Sequence, residues 1–455
     1  MDKLYVDEIK SLFLLDDFEL KEKILSYHPY EISEALLELS KKERRRMYSI
    51  LSPKEISYSI SFLEIEDAFL LFNEMVPKYI VNIIQELDID DAVDLMQELD
   101  ESERAGYLKL MDAEHRENIK ELLKYKDDTA GSIMNTEYIN IDVTDTVATG
   151  MKKLLEQAVT SATIYTIYVT NKNDKLLGTL SLREMILARK NELIEEIMNK
   201  RVVSVETTKD QEEVAAIFMD YDFTSLPVVD KLNRLLGVIT VDDVLDVIEE
   251  ETLEDYSKFA AISDAEIDSD TETVLMGVKK RLPWLLVLSV LGFFTSTIIA
   301  QFEGTLDQIP TIALFMPMIL GMAGNTGTQS LAVTVRGLND GEFQTKASIT
   351  KHLLREIGTG FMNGILIGIM LFGVTYLFLH LNHNPEAFKI TQVVSLSIML
   401  SLAVSTLSGA LIPIIINSFK IDPAVASGPF VTMINDILAL SVYFTLATML
   451  IINTL

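Results

Sequence analysis

The chain has 455 residues, no cysteine, and 68 Asp and Glu against 39 Lys and Arg, for a net charge of −29; its mean hydropathy is nevertheless +0.25. The absence of cysteine excludes disulfides, iron–sulfur clusters, thiolate zinc sites and thiol nucleophiles, and the acidic balance, with basic clusters as short as Lys41 to Arg46, argues against nucleic acid as a partner. High charge and positive hydropathy coexist by segregation: 8 acidic and 7 basic residues follow Lys280, leaving 60 and 32 before it, so a soluble acidic part precedes a membranous one.

Met1 to Lys10 carries Asp2, Asp7 and Glu8 and no apolar run, so no cleavable secretory signal is expected and the soluble part is placed in the cytoplasm. From about Asp16 to Lys126 apolar residues recur at spacings of three and four, as in Ile84, Leu87, Val93, Leu95, Met96 and Leu99. Pro29, Pro53 and Pro77 punctuate the stretch at regular intervals. This pattern predicts an array of short helices over residues 1–126, with solvated acidic faces.

An internal repeat follows. Leu176-Leu177-Gly178-Thr179-Leu180-Ser181 aligns with Leu235-Leu236-Gly237-Val238-Ile239-Thr240, and Ser132-Ile133-Met134-Asn135 aligns with Glu196-Ile197-Met198-Asn199. Each copy reads as strand, helix, β-branched strand, turn, glycine-led strand, and a helix opened by Asp or Glu. The order resembles a tandem pair of cystathionine-β-synthase (CBS) domains, at residues 127–190 and 191–250. Such pairs commonly bind adenosine nucleotides, for which Thr207, Asp222, Phe223, Thr240 and Asp243 are the candidate contacts.

Residues 251–280 read as a connecting helix. Beyond it, the gaps between charges measure the membrane spans, because a charge in hydrocarbon is costly and a span needs about 20 apolar residues. Arg281 to Glu303 encloses 21 uncharged residues, Asp307 to Arg336 encloses 28, Glu356 to Glu386 encloses 29 and Lys389 to Lys420 encloses 30. A fifth span, about 426–450, is uncharged apart from Asp436. With the N-terminus inside, Lys279, Lys280, Arg281, Arg336, Lys346, Lys351, Arg355 and Lys420 are cytoplasmic and Lys389 is outside, which favours N-in and C-out. Glu356, at the inner end of the third span, reads as a solvated interfacial carboxylate.

Asp436 lies about ten residues into the last span, or ~15 Å deep at ~1.5 Å per residue, near the middle of a ~30 Å core. With no intramembrane Lys or Arg to pair with, the candidates for its partner are a bound cation, a proton, or water in a pore. The second span contains Gly324-Asn325-Thr326-Gly327-Thr328-Gln329-Ser330. Glycines, amides and hydroxyls there suit either a polar path or a close helix-packing face. Thr432 and Asn435 add oxygen ligands ahead of Asp436. Hard oxygen donors suit magnesium, calcium or manganese better than softer metals. One carboxylate per chain suits a largely hydrated magnesium, with a dimer contributing two.

Arg281-Leu282-Pro283-Trp284, the Gly324-to-Ser330 run, Ile421-Asp422-Pro423-Ala424 and Gly428-Pro429 ahead of Asp436 make the chain similar to the MgtE family of magnesium channels. The resemblance implies a multidomain membrane protein: an all-α superhelical N-terminal domain, an α/β tandem CBS pair, a connecting (plug) helix and a five-helix all-α transmembrane domain at 281–455. It implies a homodimer in the cytoplasmic membrane whose axial pore passes Asp436, with Gly324 and Asn325 lining the path. It further implies regulatory magnesium on acidic residues of the CBS pair and connecting helix. The matching positions are Asp210, Glu212, Asp222, Asp246, Glu251, Glu254, Asp255 and Asp422.

Magnesium uptake closed by intracellular magnesium is therefore the expected function, with ATP at the CBS pair as a possible modulator. No phosphate-binding Gly-x-x-x-x-Gly-Lys-Ser/Thr loop is present, consistent with passive flow. The alternative is an ion-coupled secondary transporter of divalent cations such as cobalt or manganese, with CBS-bound nucleotide regulating it. Enzymatic function is not expected: an intramembrane hydrolase needs a His-Glu-x-x-His pair or an aspartyl dyad, and the spans offer one deep Asp.

Overall fold

The computed structural model describes residues 4–159, 161, 163–263, 273–343 and 345–451. It divides into two compact units, Met1–Ile248 and Glu249–Leu455.

The first unit opens with ten helices: α1 (Leu4–Leu12), α2 (Asp17–Ile24), α3 (Pro29–Glu38), α4 (Lys41–Ile50), α5 (Pro53–Ile60), α6 (Ile65–Phe72), α7 (Pro77–Ile84), α8 (Ile89–Gln97), α9 (Glu101–Leu110) and α10 (Ala113–Leu122). From α2 onward they start at residues 17, 29, 41, 53, 65, 77, 89, 101 and 113, one every 12 residues. A helix of two to three turns buries too little alone, and most lean on the helix two places away: α3 on α5, α5 on α7, α7 on α9, α8 on α10. The three periodic prolines sit in the first turns of α3, α5 and α7, where a missing N–H costs nothing. Ser40 and Ser52 open α4 and α5 with reciprocal caps to Glu43 and Glu55.

The repeat forms two three-stranded sheets of the same topology. In the first, β1 (Asn140–Asp142) runs parallel to β2 (Thr166–Thr170), which pairs antiparallel with β3 (Leu176–Ser181). In the second, β4 (Val205–Glu206), β5 (Ser225–Val229) and β6 (Leu235–Thr240) repeat that order, and Val169 faces Gly178 as Val228 faces Gly237. Helices α11 (Val147–Gln157), α12 (Leu182–Leu187), α13 (Ile194–Ile197), α14 (Gln211–Tyr221) and α15 (Val241–Phe259) complete the pair.

The copies are interlaced. Met134-Asn135 of the first copy bridges to Val238 of the second, and Met198-Asn199 of the second bridges to Thr179 of the first. A Cβ on Gly237 would stand 2.8 Å from the Asn135 carbonyl oxygen and 2.9 Å from Met134 Sδ, and one on Gly178 would stand 3.0 Å from the Asn199 carbonyl. Glycine leads both strands because a neighbouring backbone crosses there. One continuous apolar core runs from Leu20 and Met47 through Met96 to Phe218 and Val247, joining the helical array to the second CBS copy.

The second unit holds the last turns of α15, then α16 (Val274–Gln301), α17 (Glu303–Gln308), a 3₁₀ turn at Pro310–Phe315, α18 (Met316–Asn339), α19 (Lys346–Leu381), α20 (Ala387–Ser418), a 3₁₀ turn at Pro423–Val425, and α21 (Gly428–Leu450). The 251–280 segment expected as one connecting helix is divided between the end of α15 and the start of α16, and 264–272 lie outside the described residues. Among the described residues four helices, α16, α19, α20 and α21, are long and apolar enough to cross a membrane. The 24-residue α18, carrying the glycine–amide run, is long enough but more polar. Helix α20 is the hub, packed against α18, α19 and α21, and Gly360, Gly364 and Gly368 of α19 bring its backbone onto α20. Helix α16 leans on α21 and buries none of its residues.

Candidate ion path

Pro429 in the first turn starts α21, which carries Thr432, Asn435 and Asp436 inward. Asp436 is the ninth residue of the helix, ~12 Å along it at ~1.5 Å per residue. It is half-buried, and no described residue hydrogen-bonds or ion-pairs with it. Among the described residues no group of three or more His, Asp or Glu is assembled to hold a metal.

Thr432 touches α18. Its Oγ1 lies 3.3 Å from Thr328 Oγ1, and a Cβ on Gly324 would stand 2.8 Å from its methyl group. Gly324 is therefore the position where α18 and α21 approach, and Asn325 and Gln329 lie on the exposed face of α18. Two amides on the exposed face of a helix at membrane depth need an aqueous path or another protein surface, because lipid cannot hydrogen-bond them. Asn435 is placed differently from its neighbour: it is fully buried inside the chain, its Oδ1 accepting from Ser408 Oγ of α20.

The structure corrects the reading of Glu356 as solvated. That residue is 8% exposed, its Oε2 accepting from Ser330 Oγ at 2.8 Å, and Ser330 Oγ also lies 2.8 Å from the Thr406 carbonyl. The sequence position at a span end suggested water; the crossing of α18, α19 and α20 supplies protein instead.

The end of α15 is fastened to the membrane helices. Lys258 Nζ lies 2.7 Å from both Glu254 and Asp422, and Asp255 accepts from Asn339 Nδ2 at 2.8 Å. Phe259 joins the apolar cluster of Leu331, Ala426 and Val431. Glu254, Asp255 and Asp422 thus lie near one another, with an ammonium among them. Burial works against the Lys258 charge, but its hydrogen bonds to Asp422 and Glu254 outweigh that and hold its pKa above the usual lysine value. Burial, then the Asp422 charge, raises Asp255. Glu251 is half-buried one turn earlier.

A second acidic cluster joins the helical array to the CBS pair. Asp88, Asp90 and Asp91 at the start of α8 face Asp242, Asp243 and Asp246 at the start of α15. Asp90, 7% exposed, accepts from Asn135 Nδ2 at 3.2 Å; burial, then Asp243, raises its carboxyl well above the ordinary range. Burial, then Asp88 and Asp243, pushes Asp91 up to about 7. Burial pushes Asp243 up to about 6 against the opposing hydrogen bond from Thr240. Sequence reasoning named Asp246 among the magnesium positions and Asp243 only as a nucleotide contact, and missed Asp88, Asp90 and Asp91, whose run at a helix start reads as ordinary favourable charge at an N-terminus.

Asp210 and Asp222 flank the 11-residue α14, about 18 Å apart along its axis at ~1.5 Å per residue, so within one chain they do not share a site. Asp210 caps the helix and Glu212 follows it on the surface. Asp222 ends the helix in the left-handed region at φ 52°, a conformation Asp tolerates. Of the candidate nucleotide contacts, Phe223 stacks on Tyr221 at 5.2 Å, the Thr207 carbonyl accepts from Gly131 N, and Thr240 is bonded to Asp243 within the acidic cluster. An open cleft of about 620 Å³ lies beside β2, β3 and α12, lined by Tyr165, Ser181, Arg183, Ile186, Leu187 and Thr224 among others.

These features match known proteins throughout. The family model described as a divalent cation transporter matches residues 316–446, that of the MgtE intracellular N domain matches 27–128, and that of the CBS domain matches 130–191 and 194–250. The magnesium transporter MgtE of Enterococcus faecalis is 38% identical over 95% of this chain and 93% of its own. That of Bacillus subtilis is 36% identical over 97% and 96%. A crystal structure of the soluble part of a magnesium transporter superposes with a TM-score of 0.52 at 39% identity, over 54% of this chain and 98% of that one. The cytosolic domain of the Mg2+ channel MgtE in complex with ATP does so with a TM-score of 0.50 at 35% identity, over 54% and 99%. With its helical array, interlaced CBS pair and glycine-crossed membrane helices all accounted for, the chain belongs to the MgtE family of magnesium transporters.

Proposed function

We propose that the chain carries magnesium into the cell as a homodimer with five spans per chain, N-terminus inside and C-terminus outside. The observation that carries this reading is Asp436: a half-buried carboxylate in an apolar helix with no partner among the described residues of its own chain. A hydrated Mg2+ held through its waters needs few protein ligands, and two chains side by side supply two carboxylates, with Asn325 and Gly324 of each α18 beside the path. Inward flow needs no fuel, because a divalent cation gains about 4.6 kcal/mol per 100 mV of inside-negative potential, at ~2.3 per charge. Asp436→Ala in the full-length protein should abolish magnesium flux into proteoliposomes while leaving the dimer intact. Normal flux would remove Asp436 from the path.

Closure follows from charge. An excess of 28 negative charges per chain precedes and includes Lys280, and the repulsion among them opposes compaction. Regulatory magnesium held through its own waters beside Asp88, Asp90, Asp91, Asp243 and Asp246, and near Glu251, Glu254, Asp255 and Asp422, where among the described residues no three side chains converge as direct ligands, relieves that repulsion and favours the arrangement in which α15 is fastened to α18 and the 420s loop. Moving such an equilibrium from 1:99 to 99:1 takes about 5.5 kcal/mol, within reach of several weak sites acting together. Asp210, Glu212 and Asp222, exposed on α14, would act in a shared site between chains.

The cleft beside β2 and β3 fits a nucleotide. Arg183 offers a cation for phosphate, Tyr165 an exposed ring for a base, and Ile186 and Leu187 an apolar floor. ATP is accordingly the modulator we assign to the CBS pair.

A further inference from the structure

We propose that Asn435 is a positioning residue for Asp436: it forms, with Ser408 and Gly327, a clasp that fixes the rotation of α21 about its own axis and so the direction in which the Asp436 carboxylate leaves the helix. The proposal deepens the reading of Asp436 as the ion's ligand and rests on it.

Consecutive residues on an α-helix point about 100° apart. Asn435 is fully buried while Asp436 beside it is half-exposed, so α21 turns one residue inward and the next toward the path. The inward residue meets two other helices at once. Its Oδ1 accepts from Ser408 Oγ of α20. Its Nδ2 lies directly over Gly327 of α18, where any Cβ would overlap it. At the same level a Cβ on Gly409 of α20 would overlap the Gly327 carbonyl oxygen. Three helices therefore cross at one point, with both flanking positions reduced to glycine and the Asn435 amide filling what remains.

Stability alone does not account for an amide there. Nδ2 is buried and finds no acceptor among the described residues, a cost that an aliphatic side chain of similar size would avoid. A polar clasp instead confers direction: the Ser408 hydrogen bond sets one angle of the side chain and contact with Gly327 sets the other. The stakes for the ion are geometric. A side-chain end ~5–6 Å from the helix axis moves ~2 Å for a ~20° roll, enough to break a hydrogen bond to a metal-bound water, whose useful range is about 2.7 to 3.2 Å.

The test uses the full-length protein in proteoliposomes, measuring magnesium flux against external magnesium together with the amount of folded dimer. Asn435→Leu should raise the half-saturating magnesium concentration about tenfold, and Gly327→Ala, whose new methyl group displaces the Asn435 amide, should do the same. The double variant should be no worse than either single, as residues acting through one contact are non-additive. Ser408→Ala, which deletes a single hydroxyl, should give a smaller shift of about threefold and serves where the larger changes lower expression. Gly373→Ala on α19 adds the same methyl group where nothing lies within 4 Å and should leave the curve unchanged. An unchanged half-saturation in the Asn435 and Ser408 variants, or additive effects of Asn435→Leu and Gly327→Ala, would overturn the clasp. Asp436→Ala, run alongside, separates the two ideas: normal flux there defeats the ligand itself, whereas abolished flux with unmoved Asn435 variants defeats the clasp alone.

Discussion

Four residues carry most of the chemistry, and each behaves according to what its neighbours leave it. Asp436 and Asn435 are adjacent, yet one is half-exposed and the other is buried at a crossing of three helices. Asp91 and Asp243 are carboxyls whose proton affinity is set by burial and by each other. Their ordinary range is near 4, so between about pH 4 and pH 7 the folded joint binds protons that the unfolded chain does not. By linkage the metal-free joint should strengthen as pH falls from about 7.5 toward 5 and weaken as it rises through 6 to 7. Magnesium needs the carboxylates ionised, so its protective effect should run the opposite way. Hydrogen exchange at Asn135 and along α8, measured with and without millimolar magnesium near pH 5 and pH 8, checks both trends. Protection by magnesium that is equal at the two values would sever the cluster from the metal. Glu356 shows the same dependence on surroundings: legible in the sequence as a carboxylate at the edge of a span, it becomes a buried acceptor for Ser330 because three helices converge on it.

Elements fasten to one another through single contacts whose loss is predictable. The end of α15 is held to the membrane helices by Lys258 and by Asp255. Removing the ammonium with Lys258→Gln should therefore loosen that end, so that more intracellular magnesium is needed to stop uptake. Neutralising Glu251, Glu254 and Asp255 together should yield a channel that resists closure. A magnesium-inhibition curve unchanged in both would move sensing elsewhere. In the CBS pair, Gly237→Ala places a methyl group 2.8 Å from the Asn135 carbonyl, and overpacking of a tight crossing costs about 1–3 kcal/mol. Thermal unfolding followed on the CBS pair within the intact protein should register that loss. The same change at Gly106, where nothing lies within 4 Å, should not destabilise. Of the 12-residue cadence of the helical array only every second beat was visible beforehand, in prolines 24 residues apart at Pro29, Pro53 and Pro77. Its remaining members start with Asp, Lys, Ile, Glu or Ala, which mark a helix start too weakly to be counted by eye.

For the whole molecule the governing quantity is charge. A chain with a net −29 should contract when divalent cations neutralise its acidic faces, and small-angle scattering of the detergent-solubilised protein should show a smaller radius in magnesium than in a chelator. Replacing Asp90, Asp91, Asp243 and Asp246 by Asn should leave it compact in both. What the amino-acid order determined without help is whatever depends on composition and period: the acidic and apolar halves, the short helices, the doubled strand pattern and the single acid in the last span, since hydrophobic burial and the cost of charge in lipid act on those patterns directly. What only the tertiary structure decided is which residues meet across long separations: Asp90 with Asp243, Ser330 with Glu356, Lys258 with Asp422, Asn435 with Gly327. Those meetings depend on how helices and strands cross, and a crossing is set by the shape of both partners at once, which neither segment records by itself.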